Sequence, residues 1–272
     1  MTALERFFAV TVGETIGGGL RYAIAAGLAW LLCYVFFTKR WSHRKIVQQA
    51  PARADVRREL ISSAVTVFIY ALVGAAGVMA VQAGWTQMYF KIDRHGWGWF
   101  FASIGIAIVL HDAYFYWTHR LMHHPRVFRW MHRTHHRSMN PTPWAAYAFD
   151  PLEAFVHALI FPIVIFSFPI HPLAFFLFMG WQITFNVLGH AGYEFYPRWL
   201  VRSPLGYFMN TPTNHVMHHQ YLRGNYGLYF NYWDRFMGTN HARYVEQFEE
   251  VTSRPRPARE VPEMTQAART HS

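Results

Sequence analysis

One cysteine, Cys33, stands in a chain of 272 residues, and it lies inside an apolar run. That excludes an intrachain disulfide and any cysteine-based zinc or iron–sulfur site. Charge is scarce as well: Asp, Glu, Lys and Arg make up 15% of the residues, with 15 acidic side chains against 25 basic ones. A surplus of +10 gathered on one face of a soluble fold would point to nucleic acid. Here the arginines stand between hydrophobic segments, where positive residues hold loops in the cytoplasm, so no nucleic-acid partner is expected. No internal repeat is present. The Glu-x-x-His sequence of carboxylate-bridged di-iron bundles is missing too. The residues before the first apolar run include Glu5, Arg6 and Glu14 and form no basic n-region. A cleavable signal peptide is therefore not expected, and the first segment should remain as an anchor.

What the chain has in abundance is apolar and aromatic surface, 53% and 18% of residues, yet its mean hydropathy is near zero. Long apolar runs separated by basic connectors explain both figures and predict an integral membrane protein. The first span is expected from Ile16 to Phe37. The connector from there to Arg58 carries Lys39, Arg40, Arg44, Lys45, Arg53, Arg57 and Arg58, whereas the connector from Gln82 to Gly96 has only Lys91 and Arg94. The positive-inside rule then puts the first connector in the cytoplasm. Between them lies a span from Leu60 to Val81, with Gly74 and Gly77 offering a close-packing face. A third span starts at Trp97 and should project past the membrane as helix up to Pro125. Two shorter apolar runs, Leu152 to Phe168 and Leu173 to Leu188, return the chain to the side it left. The fold class is thus all-α: a helical membrane bundle of about 4–5 segments with a cytoplasmic helical cap. Three regions are expected: an N-terminal membrane anchor over 1–96, a histidine-bearing region over 97–251 and a disordered tail over 252–272.

Histidine is the residue whose distribution carries chemistry. Six of seventeen fall between His119 and His136. His119 and His123 are spaced i, i+4; His132, His135 and His136 form H-x-x-H-H, and so do His215, His218 and His219. The spacing predicts that each set lies on one helix face. An H-x-x-H-H match is expected by chance on the order of 0.06 times per chain of this composition. With His190, which emerges on the same side, nine imidazoles converge, more than one metal can use, and two metals are implied. His43, His95, His111, His157, His171, His241 and His271 are expected to be ordinary hydrogen-bonded residues. Asp112, two turns before His119, is placed to orient a ligand imidazole. Trp144, Tyr147 and Phe149 read as interfacial anchors, with a lipid entrance as the alternative.

The boxes His119-Arg-Leu-Met-His123, His132-Arg-Thr-His135-His136 and His215-Val-Met-His218-His219 stand with Gly189-His190-Ala-Gly-Tyr193-Glu194, Asn225-Tyr226-Gly227 and Trp233-Asp234-Arg235. Together they resemble the fatty acid hydroxylase/sterol desaturase superfamily over about residues 97 to 238. The resemblance implies a membrane-bound non-haem di-iron oxygenase that hydroxylates or desaturates a lipid C–H bond, such as that of a fatty acyl chain or sterol. Hydroxylation is the default expectation. Dioxygen is the implied co-substrate, and electrons come from an external donor of ferredoxin or cytochrome type, since no haem-binding segment is present in the chain. His119, His123, His132, His135, His136, His190, His215, His218 and His219 carry over as iron ligands and catalytic residues. Some members have a further histidine where this chain has Asn186, which is expected to act weakly or indirectly. His124 is open as a ligand or a supporting residue, and Tyr193, Asn225 and Asp234 are expected to position ligands or close the cap. Histidine number does not choose the metal, so a zinc-binding hydrolase or structural zinc site is a rival, and zinc can occupy isolated protein. A carotenoid or alkane substrate suits the same oxygenase chemistry. A metal transporter or sensor would place its ligands within the spans rather than after them.

Overall fold

The first apolar run is entered through a capping box. The Thr2 hydroxyl accepts from the Glu5 N–H at 3.2 Å, and the Glu5 carboxylate accepts from the Thr2 N–H at 2.9 Å. In the computed structural model, which describes residues 1–257, helix α1 (Ala3–Trp30) therefore begins well before the expected Ile16. It continues through a π-helical segment, Leu31–Phe36, as one run of 34 residues, longer than the roughly 20 that cross a bilayer. Helix α2 (Arg53–Gln82) likewise starts earlier than expected, so Arg53, Arg57 and Arg58 ride on a helix rather than a loop. The Arg58 guanidinium pairs with Asp55 at 2.5 Å and donates to the Ser138 hydroxyl at 3.1 Å, which ties the foot of α2 to the end of the histidine segment.

Helix α3 (Gly96–Met122) runs unbroken past Leu110, as its pattern predicts, and carries His119 on its last turn. The single helix that the His132-x-x-His135-His136 spacing requires after Pro125 is instead two short ones, α4 (Pro125–Met131) and α5 (Arg133–His136). The break falls at His132, whose φ of −145° and ψ of −2° leave the helical region. The first of the two later apolar runs is also jogged, into α6 (Pro151–Ala158) and α7 (Ile160–Ser167). Pro162 has no N–H to donate back to Ala158, so the helical ladder is interrupted at that point. Helix α8 (Pro172–Gly189) follows. Among the described residues, four helices, α1 with its π segment, α2, α3 and α8, are long and apolar enough to span, and the α6–α7 pair is the shorter fifth apolar segment.

Outside the spans, α9 (Pro204–Phe208), α10 (Pro212–Tyr221), α11 (Tyr232–Phe236) and α12 (Tyr244–Ser253) complete the chain. Among the described residues there is no β-strand, only three isolated bridges. Two apolar clusters knit the spans. One joins Tyr22, Ala26 and Val67 to Tyr147 and Phe149; the other joins Phe100 and Ala107 to Val164 and Phe178. The hydroxyls of Tyr22 and Ser63 both donate to the Trp144 carbonyl, at 2.7 and 3.0 Å. A third cluster seats α12 on α10 through Tyr244, Phe248, Met217 and Val201. Thr252 and Ser253 close α12, with Thr252 buried. The rest of the expected tail, from residue 258 and including His271, lies outside the described residues.

Because α10 carries three of the clustered histidines, its seat on α12 matters to the site. Phe248→Ala is expected to cost about 3–5 kcal/mol of stability, read as a lower midpoint of thermal unfolding in detergent. An unchanged midpoint would show that α12 does not brace α10.

Candidate metal centre

All nine clustered histidines come together, but not as two intact triplets. His119, His123, His132, His136 and His218 form one group, and His135, His190, His215 and His219 form the other; within each group one ring nitrogen from every member lies within 4.8 Å of the rest. The expectation that each H-x-x-H-H presents one face is corrected by helix geometry. Residues four apart share a face, whereas adjacent residues diverge by about 100°. The pairs His119/His123, His132/His136 and His215/His219 therefore stay together, while His135 and His218 cross to the opposite group. The two groups touch: the His136 and His219 rings are 4.9 Å apart, and those of His132 and His135 are 5.1 Å apart.

The hydrogen bonds on the outer edge of the rings decide what faces inward. Nδ1 of His119 lies 2.8 Å from the Tyr226 carbonyl, that of His218 lies 2.7 Å from the Gly224 carbonyl, and that of His190 lies 2.7 Å from the Asn186 carbonyl. A carbonyl only accepts, so each Nδ1 carries the proton and each Nε2 presents a lone pair inward. Six Nε2–Nε2 contacts of 2.9–3.3 Å link His119 to His132, His123 to His136 and His218, and His190 to His135 and His215, with His215 meeting His219. A cation about 2.1 Å from two such nitrogens, subtending about 90–105° at them, separates them by about 3.0–3.3 Å. The donor sets therefore fit a metal ion in each group, and neutral imidazole is the form a metal binds.

Burial holds the rings in that form. His132, His135, His136, His215, His218 and His219 are pushed well below the ordinary imidazole range, first by desolvation and then by neighbouring imidazoles. His123 and His190 are each lowered to about 4, again mainly by burial.

Supporting groups differ from those the spacing suggested. Asp112 does not reach a histidine; its Oδ1 accepts from the N–H groups of Tyr229 and Phe230 at 2.8 and 3.1 Å and so fixes a later loop. The carboxylate that does orient a clustered ring is Glu153, whose Oε1 lies 2.6 Å from Nδ1 of His132 and 3.5 Å from Nε2 of His157. Asp150-Pro151-Leu152-Glu153 reads as a helix start, and it is one: the other Glu153 oxygen accepts from the Asp150 N–H at 3.4 Å. The capping signature hid the second role. Asn225 and Asp234 build the loop that supplies the Tyr226 and Gly224 carbonyls. Asp234 accepts from the N–H groups of Tyr226 and Gly227 at 2.8 and 2.7 Å, and Asn225 donates to the Asn214 carbonyl at 3.0 Å. Gly224 is required there, with φ of +77° and space for a Cβ only 2.5 Å from the Thr239 carbonyl. Asn186 acts indirectly, its backbone carbonyl accepting from His190 and its side chain donating to the Ala146 carbonyl. His124 stands outside both groups as the N-cap of α4. His111 meets the Tyr229 hydroxyl at 2.8 Å.

Residues 104–239 match the Fatty acid hydroxylase family. The chain is 32% identical over 231 residues to the Delta(7)-sterol 5(6)-desaturase ERG3B of Gibberella zeae, covering 85% of this chain and 68% of that protein. The chain belongs to the fatty acid hydroxylase family. It is also 31% identical to the Delta(7)-sterol 5(6)-desaturase erg3C of Aspergillus fumigatus over 69% of this chain and 63% of that one. To the Lathosterol oxidase of Mus musculus it is 25% identical over 87% of this chain and 76% of that one. It thus spans roughly two thirds to three quarters of the length of these three relatives. No solved structure matches. The family comprises membrane lipid hydroxylases and desaturases, and the four spanning helices make this member an integral membrane protein.

A family member that acts on lipids needs an apolar approach to its site. A cavity of about 460 Å³ lies between α1, α2, α7 and α8, with Tyr70, Tyr147 and Phe161 at one wall. Tyr70 and Phe161 also wall a narrow crevice whose other residues include Phe115, Phe149 and His157. Phe115 packs on His119 at 4.9 Å and Phe149 on His135 at 5.2 Å, so the crevice touches both histidine groups. Tyr147 and Phe149 are buried, Tyr147 against the larger cavity and Phe149 against the crevice, rather than at a membrane interface; Trp144 is partly buried beside them. A smaller cavity of about 180 Å³ reaches His190 and His215.

The depressed histidines give a pH dependence. Unfolded imidazoles take up protons near pH 6.5, whereas the buried ones resist protonation until lower pH. Stability from this source is complete above about pH 6.5 and is lost as pH falls toward about 4, where His123 and His190 titrate. Metal-free protein in detergent should melt progressively lower as pH drops from about 7.5 to 5. A midpoint that is flat over that range would contradict the burial of neutral rings.

Proposed function

We propose that this protein is a membrane-bound non-haem di-iron oxygenase that removes hydrogen from a lipid C–H bond, with dioxygen as co-substrate and electrons from a separate protein donor. The observation that carries the reading is the inward convergence of nine imidazoles as two adjacent groups, in a fold that also holds an apolar cavity among its spanning helices. His119, His123, His132, His136 and His218 would hold one iron, and His135, His190, His215 and His219 the other. An iron pair held by these residues would supply dioxygen activation toward an unactivated carbon, chemistry that zinc does not supply.

The chain's own residues set the conditions for that chemistry. Tyr70, Tyr147 and Phe161 offer an apolar wall to a lipid substrate, and Phe115 and Phe149 pack on His119 and His135 and help keep bulk water from them. Glu153 and the Tyr226, Gly224 and Asn186 carbonyls hold their imidazole protons on Nδ1, leaving Nε2 free. The relatives named as Delta(7)-sterol 5(6)-desaturases favour a sterol-type lipid and desaturation over hydroxylation. The basic connector between α1 and α2 supports a cytoplasmic position for the histidines.

Two measurements test the reading. Protein purified from cells grown with iron should hold about two irons per chain, and Glu153→Ala should weaken retention at the His132 group by about 10–100-fold. Cells making the active protein should yield a lipid product either two hydrogens lighter or one oxygen heavier than its precursor, only in the presence of dioxygen. Metal content unaffected by His135→Ala combined with His218→Ala would sink the ligand assignment; turnover without dioxygen would sink the oxygenase.

A further inference from the structure

Charged side chains within a membrane-spanning helix are costly and commonly mark a pathway or a ligand. Arg21 stands near the middle of the 34-residue α1 run, with Glu14 two turns before it. Both line the 460 Å³ cavity, otherwise walled largely by apolar side chains, along with Gly18 and Gly74. The guanidinium folds back along its own helix, 3.7 Å from where side chains on Gly17 and Gly18 would begin, while the Glu14 carboxylate lies 3.7 Å from the corresponding point on Gly74 of α2. The two charged groups face each other at 3.9 Å, about 1 Å longer than a charge-assisted hydrogen bond.

We propose that Glu14 and Arg21 form the docking site for a neutral hydroxyl at the polar end of the lipid that fills this cavity. The inference rests on the reading of the protein as a lipid oxygenase and names the substrate's polar end. A hydroxyl placed between the two groups donates to the carboxylate and accepts from the guanidinium, completing both. Charge decides against the other lipid heads. A carboxylate or phosphate meets Glu14, an ammonium meets Arg21, and a methyl or ester end leaves the carboxylate without a donor. The pair lines the same cavity as Tyr70 and Tyr147, whose rings lie 5.2 Å apart, so a lipid docked here by its hydroxyl lays its apolar body against those rings.

The test uses full-length protein in phosphatidylcholine nanodiscs and two radiolabelled probe pairs: a Delta(7)-sterol with its methyl ether, and a long-chain 1-alkanol with its methyl ether. Wild type should bind at least one alcohol about ten-fold or more tightly than its ether. Glu14→Met combined with Arg21→Met keeps the segment neutral and should bring that ratio within about two-fold, with ether binding and iron content retained; Glu14→Gln and Arg21→Gln singly should each lower it. A ratio near one in wild type, a preference that survives in the double variant, or no binding of any probe to wild type overturns the proposal. Dioxygen-dependent turnover on the same preparations, supplied with a ferredoxin-type reductant, separates the two readings. Turnover with no alcohol preference removes the docking site alone; preference without turnover removes the oxygenase reading alone.

Discussion

Nine imidazole nitrogens aimed at one another are mutually repulsive unless something positive lies among them, and that constraint organises the structure. The rings of His119, His190 and His218 cannot relieve it by changing tautomer, because backbone carbonyls hold their protons on the outer nitrogen. Nor can protonation relieve it readily, since burial and the neighbouring imidazoles oppose a charge on any member. The arrangement costs stability when empty and is offset when a cation binds, the coupling of metal and fold seen in small metal domains. Four segments distant in sequence, ending α3, spanning α4–α5, ending α8 and forming α10, must be brought to one place for this to happen.

The spans supply that placement. Helices α3 and α8 each end in a clustered histidine, so membrane-embedded packing through Phe100, Ala107, Val164 and Phe178 fixes the positions of His119 and His190. The α12 seat does the same for α10 from the other side. Between them, the loop over Gly224–Asn240 is held by Asp234 and Asn225 and contributes two carbonyls to the ring edges. The same packing leaves an apolar cavity among the spans that shares Tyr70 and Phe161 with the crevice at Phe149, and Phe149 packs on His135.

Much of this was legible in the chain itself. The helical membrane class, the run of α3 beyond its apolar part and the identities of the nine converging histidines all follow from apolar length and histidine spacing. What spacing alone misassigned was grouping. A motif read as one face contains adjacent histidines that a helix must splay apart, and the helix break at His132 was not visible because no proline or glycine marks it. The orienting carboxylate was misassigned to Asp112 instead of Glu153 for a similar reason. Sequence distance placed Asp112 two turns from His119 on one helix, but α3 turns that face toward the Tyr229 loop, whereas Glu153 reaches His132 across the fold. The early starts of α1 and α2 show that charged residues end an apolar pattern without ending a helix.

The central claim is that the two histidine groups are two iron sites of one centre. Mössbauer spectroscopy of protein loaded with iron-57 and chemically reduced under argon tests it most directly. The account predicts two high-spin ferrous signals in roughly equal amounts, one for the five-histidine group and one for the four-histidine group. Substituting His190 or His215 should remove one signal and spare the other. A single site, or both signals lost together with no change in fold, would contradict the assignment of the groups to separate irons.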